Sequence, residues 1–287
     1  MTLVPMTTLL AGALEGGYAV GYFEAWDGYS LEAVVEAAEA ERAPVILGFG
    51  CLLVDQAWLD EGGIEMLGCL GRGAAERARV PVSFLLNETR TFEQAVRGID
   101  AGFNAVMMDT SAWSPVEAAS SVARLVEVAH TRGVAVEAEL GRLPDAVDGR
   151  IDDLAASLTD PDEAAAFVEA TGVDCLAVSI GNVHLLTGRS ARVDLVRLEA
   201  VHRRVRLPLV IHGWTSFPRG AVRPAVARGV AKFNVGTALR SATDRPNAPS
   251  APIPPPSSQA WSASRQPKPI TTGAHSASAA STTASSE

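Results

Sequence analysis

Three features that identify particular classes of protein are scarce or missing in this sequence. The 287 residues include only three cysteines, and no two have the CxxC spacing, which excludes a disulfide framework and favours a reducing compartment. The net charge is -9 without any Lys/Arg-rich run, which excludes a nucleic-acid surface. No apolar run approaches the roughly 18 residues of a membrane-spanning helix, and residues 1–10 lack a signal-peptide pattern. We therefore expect a soluble, cytoplasmic protein whose partner is a small molecule, with no nucleic acid and no membrane.

What the sequence does contain is a recurring unit of one apolar segment followed by one helical pattern. Hydrophobic residues make up 47% of the chain, enough for a large core. Helical periodicity separates the apolar segments, for example in SLEAVVEAAEAER, where we expect Ser30 to be the N-cap. The predicted strands are residues 18–23, 43–50, 80–86, 104–109, 134–140 and 174–180, and two segments that end at His212 and Asn234.

The alternation of eight strands with helices predicts an α/β fold. Short strands that are apolar on both faces indicate a parallel sheet, and eight repeats favour closure into a (β/α)8 TIM barrel over an open doubly wound sheet. No GxGxxG follows the first strand, which further weakens the open-sheet alternative. In such barrels the chemistry lies at the carboxyl ends of the strands, so the residues there are the candidate site.

Polar residues stand at the ends of six successive predicted strands. They are Asn87 and Glu88 after strand three, Asp109 after strand four, Glu137 and Glu139 in strand five, Gly181 and His184 after strand six, His212 after strand seven, and Asn234 in strand eight. Two imidazoles and a carboxylate form an ordinary divalent-metal set, so His184, His212 and Glu88 are candidate ligands for zinc or a similar ion.

Each of these residues also has a structural interpretation. A single histidine at a strand end is more often a hydrogen-bonded structural residue than a ligand. Glu137 and Glu139 are two residues apart in a strand and project to the same side, where they either hold a cation or brace a neighbour. Asp109 is equally well explained as the N-cap of the helix that follows it.

Small and hydroxylated residues follow the last two strands. Gly213 and Thr215 come after strand seven, and Gly236 and Thr237 come after strand eight. Barrels commonly bind phosphate at this location through backbone N–H groups and hydroxyls. The alternative is a generic loop, because Gly and Thr are common in turns.

Residues 1–240 resemble the class II ketose-bisphosphate aldolases, the metal-dependent family that cleaves fructose and tagatose bisphosphates. The resemblance is carried by LVPMTTLLAGALEGGYAVGYF, SPVEAASSVARLVEVAHTRGVAVEAELGRL, SLTDPDEAAAFVEATGVDCLAVSIGNVH, PLVIHG and KFNVGTALR. It implies a TIM-barrel lyase of carbohydrate metabolism and glycolysis that uses zinc or another divalent metal. It also implies a homodimer or homotetramer.

The resemblance assigns roles residue by residue. His184 and His212 match two of the three zinc-binding histidines, and Asp109 with Glu139 match acidic positions that can hold a second cation. Asn234 matches the asparagine that contacts dihydroxyacetone phosphate. Further residues match the phosphate-binding segments or the glycine-containing segment before the second zinc histidine: Gly181, Gly213, Thr215, Gly236 and Thr237.

The chain departs from the family at the chemistry itself. The Asp-His-Gly that the family has after strand three is Asn87-Glu88-Thr89 here. Asn87 can form hydrogen bonds but cannot transfer a proton. Glu88 can still bind zinc, because glutamate is an ordinary zinc ligand. The first turn, YFEAWD, also differs from the Phe-Asn-rich segment of the family and introduces Glu24. In the phosphate loop, Trp214 adds bulk.

From residue 241 the composition changes to Pro, Ser, Ala and Thr. We expect two regions, an aldolase-like barrel over 1–240 and a disordered tail over 241–287 with the eighth helix missing or disrupted. The sequence predicts reversible aldol cleavage of a phosphorylated ketose through a metal-stabilised enediolate. The alternative is a non-catalytic barrel that binds a sugar phosphate or metal, because the acid-base aspartate is lost.

Overall fold

Eight parallel strands form a closed barrel in the computed structural model, which describes residues 2–141, 158–183 and 190–243. Each strand pairs with its neighbour in chain order, and the last pairs with the first. The predicted (β/α)8 barrel is confirmed. The strands are β1 Val20–Ala25, β2 Val45–Gly50, β3 Val82–Thr89, β4 Ala105–Met108, β5 Ala135–Leu140, β6 Cys175–Val178, β7 Leu209–Ile211 and β8 Val230–Val235.

Helices connect the strands on the outside of the barrel. They are α1 Met6–Gly16, α2 Gly28–Glu41, α3 Gln56–Trp58, α4 Ile64–Arg77, α5 Phe92–Asp100, α6 Pro115–His130, α7 Pro161–Thr171, α8 Leu195–Val205, α9 Val222–Val226 and α10 Thr237–Thr243. The segment Leu59–Gly63 joins α3 to α4 and contains a kink at Gly62, where φ is +123°. Short 3₁₀ turns at Trp214–Ser216 and Arg219–Ala221 follow β7.

The buried apolar residues form two cores. One lies between the strands and the surrounding helices, and the other fills the barrel interior. Met6 and Leu10 of α1 are fully buried in the interior core beside Val20 and Ile46, so α1 belongs to the core that fills the barrel. Burial of each large apolar side chain stabilises the fold by about 1.5–3 kcal/mol. Polar side chains are thereby left to the carboxyl ends of the strands.

The first strand and its helix differ from the sequence-based prediction. The strand begins at Val20 and runs to Ala25, two residues later than expected, which places Glu24 within it. The expectation that Ser30 is the N-cap of α2 is wrong. Asp27 is the N-cap, and Ser30 is the third helical residue of a reciprocal capping box, in which each side chain bonds the other's backbone N–H.

The described chain continues for one short helix beyond the barrel. After β8 it forms α10, seven residues long. Residues 244–287 lie outside the described part, so the disordered tail and the disrupted eighth helix stay predictions, as does the boundary at residue 240. In the described ranges, no helix is both long enough and apolar enough to span a bilayer.

Candidate active site

An open cavity of about 330 Å³ lies at the carboxyl ends of the strands. Its volume suits a small phosphorylated sugar rather than a macromolecule. Eight residues singled out from the sequence line it: Asn87, Glu88, His212, Gly213, Thr215, Asn234, Gly236 and Thr237. Two other lining residues, Trp214 in the phosphate loop and Glu24 in the first turn, are departures from the family that the sequence shows. The remaining lining residues were not predicted: Tyr22, Leu52, Leu53, Arg90 and Arg240.

Glu137 is the centre of a buried ionic network beneath this cavity. Its Oε2 accepts a hydrogen bond from Lys232 Nζ at 2.7 Å, and its Oε1 accepts one from His212 Nε2 at 3.0 Å. Burial by itself raises the pKa of Glu137, but the Lys232 charge and the His212 hydrogen bond outweigh it and lower that pKa to about 2. Of the two roles considered for Glu137, the structure supports bracing a neighbour.

Lys232 is the residue of this network that sequence reasoning missed. Its Nζ also donates to Asn234 Oδ1 at 2.6 Å and lies 4.8 Å from the centre of the Tyr22 ring. The side chain is completely buried. A signal was available, because Lys232 interrupts the apolar run of β8 two residues before Asn234 and must therefore share its face.

His212 is oriented by carboxylates on both of its nitrogens. With Nε2 hydrogen-bonded to Glu137, its Nδ1 lies 3.5 Å from Glu88 Oε1 and 3.3 Å from Glu139 Oε2. Burial lowers the pKa of His212, but the hydrogen bonds to Glu137 and Glu88 and the charge of Glu139 raise it to about 10. Because Glu137 engages Nε2, Nδ1 is the nitrogen that faces Glu88 and Glu139.

Glu88 reaches His212 because the backbone of β3 is irregular at its end. The β3–β4 pairing shifts register between Leu86 and Thr89, and Glu88 adopts a left-handed conformation with φ +57°. That conformation costs a residue other than glycine about 1–3 kcal/mol. Such bulges re-aim a side chain, which accounts for the approach of the Glu88 carboxylate to His212 Nδ1.

Two asparagines line the cavity with buried polar atoms. Asn87 and Asn234 are only 2% and 7% exposed. Among the residues that the structure describes, Asn87 Oδ1 and Asn234 Nδ2 have no hydrogen-bond partner. Because Lys232 fixes Asn234 Oδ1 as an acceptor, Nδ2 of that amide is the donor that remains. Unpaired buried polar atoms are costly and mark positions that a polar ligand satisfies.

The chain matches one known family over nearly its whole length. The family described as "Fructose-bisphosphate aldolase class-II" matches residues 4–280. The chain belongs to this family. The match extends past residue 240, where the resemblance was expected to stop. Membership in this aldolase family favours a lyase over a non-catalytic binding barrel.

Two relatives named as fructose-bisphosphate aldolases align with most of the chain. The "Probable fructose-bisphosphate aldolase" of Bacillus subtilis (strain 168) is 37% identical over 242 residues, which span 83% of this chain and 82% of that protein. The fructose-bisphosphate aldolase of Geobacillus stearothermophilus is 36% identical over the same shares.

Solved structures agree with the sequence relatives. A putative fructose-1,6-biphosphate aldolase from Coccidioides immitis superposes with a TM-score of 0.74 and 31% identity, over 86% of this chain and 88% of that one. The YdjI aldolase from Escherichia coli K12 gives a TM-score of 0.70 and 31% identity, over 84% and 83%.

Class II aldolases are metal-dependent, and the donors around His212 Nδ1 suit part of a metal site. Donors about 2.1 Å from one tetrahedral ion stand roughly 3.4 Å apart, close to the separations of Nδ1 from Glu88 and Glu139 given above. A nitrogen and two carboxylates are also ordinary ligands for a divalent ion. Within residues 2–141, 158–183 and 190–243, no group of three or more His, Cys, Asp or Glu side chains is arranged so that it could hold a metal ion. His184 lies outside those ranges.

The loop after β7 approaches neighbouring backbone closely in this class II aldolase. Gly213 has φ +74°, and a Cβ there would lie 2.5 Å from the Val183 carbonyl oxygen. Trp214 lines the cavity, and its indole packs against Phe233 at a centroid distance of 5.1 Å, with the Arg219 guanidinium 4.7 Å from its centre. Part of the Trp214 indole is therefore covered by Phe233 of β8 and by Arg219.

Two predicted site residues, Asp109 and Gly181, lie outside the cavity lining. The N-cap interpretation of Asp109 is wrong, because Ser114 caps α6 and Asp109 Oδ1 accepts the Ser111 N–H at 2.9 Å. Neither Asp109 nor Gly181 is among the described residues that line the cavity. Gly181 has φ +97°, and a Cβ there would lie 2.1 Å from the Arg192 carbonyl oxygen, so its role is a close backbone approach.

Proposed function

We propose that the chain catalyses the reversible aldol cleavage of a phosphorylated ketose of the fructose- or tagatose-bisphosphate type. The observation that carries the proposal is the pairing of two features in one cavity. His212 and Glu88 line the cavity, and Glu139, which is not a lining residue, lies 3.3 Å from His212 Nδ1. Asn87 and Asn234 line the same cavity, and each has one buried amide atom without a partner among the residues that the structure describes. The first feature suits a metal and the second suits the hydroxyl and carbonyl oxygens of a sugar.

The metal would be held by His212 and Glu88, together with Glu139 and His184. We propose zinc, because a set of histidines and carboxylates is an ordinary catalytic zinc environment. A divalent ion at this position supplies Lewis-acid polarisation of the ketose carbonyl. Glu137 contributes by holding the His212 ring through Nε2, which orients Nδ1.

The substrate phosphate would lie at the loops after β7 and β8. Gly213 and Thr215 line one side of the cavity, and Gly236 and Thr237 line the other. Gly236 directly precedes α10, and Thr237 is the first residue of that helix. Backbone N–H groups at the start of a helix favour an anion. We further propose that the enzyme is a homodimer or homotetramer that acts in the cytoplasm.

Asn234 and Asn87 would orient the part of the ketose that reacts. Lys232 fixes the Asn234 amide, so that Nδ2 donates toward the substrate. Asn87 hydrogen-bonds the hydroxyl beside the bond that breaks, since its amide accepts and donates hydrogen bonds but does not transfer a proton. Orientation of reacting groups contributes substantially to rate even without proton transfer.

The proposal is tested by metal content and product release. The purified full chain is expected to contain a divalent metal and to release triose phosphate from fructose or tagatose bisphosphate. A chelator should abolish that release, and the metal should restore it. His212→Gln should lower both metal content and turnover, whereas the matched control His130→Gln changes an exposed histidine on α6 and should alter neither.

Two outcomes would contradict the proposal. Bound metal without triose-phosphate release from either bisphosphate would support the non-catalytic barrel. Release that is unaffected by a chelator would remove the metal from the mechanism.

A further inference from the structure

Tyr22 carries a buried hydroxyl at the cavity that the proposed reaction has not used. The side chain is 1% exposed and lines the cavity, and its hydroxyl has no hydrogen-bond partner among the residues that the structure describes. A buried hydroxyl without a partner is costly, so such a group in a cavity wall marks a position for a polar ligand. The ligand considered below is the substrate, so this role of Tyr22 rests on the proposed function.

The Tyr22 ring extends towards the cavity end of the barrel. Tyr22 pairs with Ile46 across β1 and β2, and Gly48 lies two residues nearer the carboxyl end of β2 on the same face. A Cβ built on Gly48 would lie 2.6 Å from Tyr22 Cε2, so the ring covers Gly48. Because Cε2 adjoins the carbon that bears the hydroxyl, that hydroxyl lies beyond the level of Ile46, towards the strand ends where barrels bind their substrates.

Tyr22 stands beside Asn234, which has a proposed role in binding the ketose. The two residues pair across β1 and β8, so their backbones are one strand spacing of about 4.8 Å apart. Lys232 contacts both side chains, since its Nζ lies 4.8 Å from the centre of the Tyr22 ring and 2.6 Å from Asn234 Oδ1. The Tyr22 side chain is therefore inside the barrel on the side of β8, the strand whose following loop would hold the substrate phosphate.

The Tyr22 hydroxyl is a hydrogen-bond donor at neutral pH. Burial raises the pKa of Tyr22 well above its usual range, and the charges of Glu24 and Glu88 raise it further. The phenol therefore keeps its proton and can donate it in a hydrogen bond. Aldol cleavage places negative charge on the oxygens of the triose-phosphate half as the enediolate forms. A donor held in place in a water-poor site stabilises such charge.

We propose that the Tyr22 hydroxyl donates a hydrogen bond to an oxygen of the triose-phosphate half of the bound substrate, on the Asn234 side of the cavity. No proton is transferred and no covalent bond changes in this contact. Tyr22 is the first residue of YFEAWD, the segment in which the chain departs from the family. The hydrogen bond is thus a property of this chain's own residues.

Tyr22→Phe tests this role, because it deletes the hydroxyl and keeps the ring. The probe is dihydroxyacetone phosphate, and its dissociation constant is measured by isothermal titration calorimetry on the purified full chain with added zinc. We expect that constant to rise about three- to tenfold, the range for loss of one neutral hydrogen bond. The melting temperature of the ligand-free protein should stay the same or rise, because the change removes a buried hydroxyl that has no partner in the described fold.

The matched control is Tyr29→Phe, at a tyrosine of α2 that is 89% exposed, and it should alter neither quantity. An unchanged dissociation constant in Tyr22→Phe would overturn the role of Tyr22. A lower melting temperature of its ligand-free form would also overturn it, because the hydroxyl would then stabilise the fold itself.

Failure of the proposed function gives a different result. If the parent binds dihydroxyacetone phosphate but releases no triose phosphate from either bisphosphate, the proposed function fails, and the two dissociation constants still decide the role of Tyr22. If the parent does not bind dihydroxyacetone phosphate, the role of Tyr22 fails together with the proposed function.

Discussion

Lys232→Met tests whether the buried ionic network supports the barrel. Methionine is unbranched like lysine and one atom shorter, and it carries no charge. In the parent, Lys232 and Glu137 are both fully buried, with Nζ 2.7 Å from Oε2. The substitution leaves the Glu137 carboxylate with His212 as its charged partner, and it removes the donor to Asn234 Oδ1.

The expected loss follows from the cost of an incompletely compensated buried charge. Removal of one partner of a buried ion pair typically lowers the free energy of unfolding by about 3–5 kcal/mol. Because His212 still compensates part of the Glu137 charge, we expect the lower end, about 3 kcal/mol. For a domain of this size, that loss corresponds to a decrease in melting temperature of about 6–12 °C.

The assay is thermal and urea unfolding followed by circular dichroism. The control is Arg204→Met, which breaks an exposed ion pair with Asp162, at 60% and 71% side-chain exposure, and should cost less than about 1 kcal/mol. Adding Glu137→Gln to Lys232→Met should recover part of the stability, because the buried negative charge is then gone. A double-mutant cycle gives the coupling energy between the two residues. If Lys232→Met is as stable as Arg204→Met, or if the coupling is absent, the argument about this network is refuted.

Three further predictions concern the backbone, a helix cap and the thiols. Gly181→Ala should lower the free energy of unfolding by about 2 kcal/mol or more in urea, because the Cβ would meet the Arg192 carbonyl oxygen at 2.1 Å. Asp27→Ala should cost about 1 kcal/mol, because the Ser30 N–H loses its cap. The Ser30 N–H holds the Asp27 pKa below its usual range, so this contribution is complete above the ordinary Asp pKa and is lost as pH falls through the folded-state pKa. Under native conditions, an aromatic disulfide reagent should label Cys69 alone.

Each of these predictions has its own control. Gly133→Ala also places a side chain at positive φ, but no atom lies within 4 Å of its Cβ, so it should cost less than the change at Gly181. The difference in melting temperature between parent and Asp27→Ala should shrink as pH falls; a constant difference would contradict the charge-dependent cap. Burial raises the pKa of Cys51 to about 12 and that of Cys175 well above its usual range. Rapid labelling of either thiol before unfolding would contradict their burial.

Local patterns predicted most of the rim. Each apolar segment predicts a strand, and the polar residue that follows it marks the strand's carboxyl end. In a parallel barrel, all of these ends lie on the same side. Asn87, His212 and Asn234 were found in this way and do line the cavity. Glu24 was predicted to lie in the turn after the first strand, whereas the structure places it within that strand, which begins and ends two residues later than expected. Strand boundaries depend on pairing with neighbours as well as on the hydrophobicity of the segment.

The same patterns did not predict which side chains contact each other. The spacing of Glu137 and Glu139 indicated a shared side, yet they differ in role: Glu137 bonds Lys232 and His212, whereas Glu139 lies near the other nitrogen of His212. The approach of Glu88 depends on a bulge in β3 that the sequence does not signal. Backbone irregularities of this kind arise from the fit of neighbouring strands.

The sequence by itself determined the order of strands and helices, the closed parallel barrel and the polar character of one rim. Those properties depend on residue periods of two and 3.6, which are local. Only the tertiary structure decided that Glu137 joins His212, 75 residues away, to Lys232, 95 residues away, and that Glu24 lies over Gly50. Such contacts depend on the stagger between strands around the barrel, which is fixed by the packing of the whole sheet rather than by any single segment.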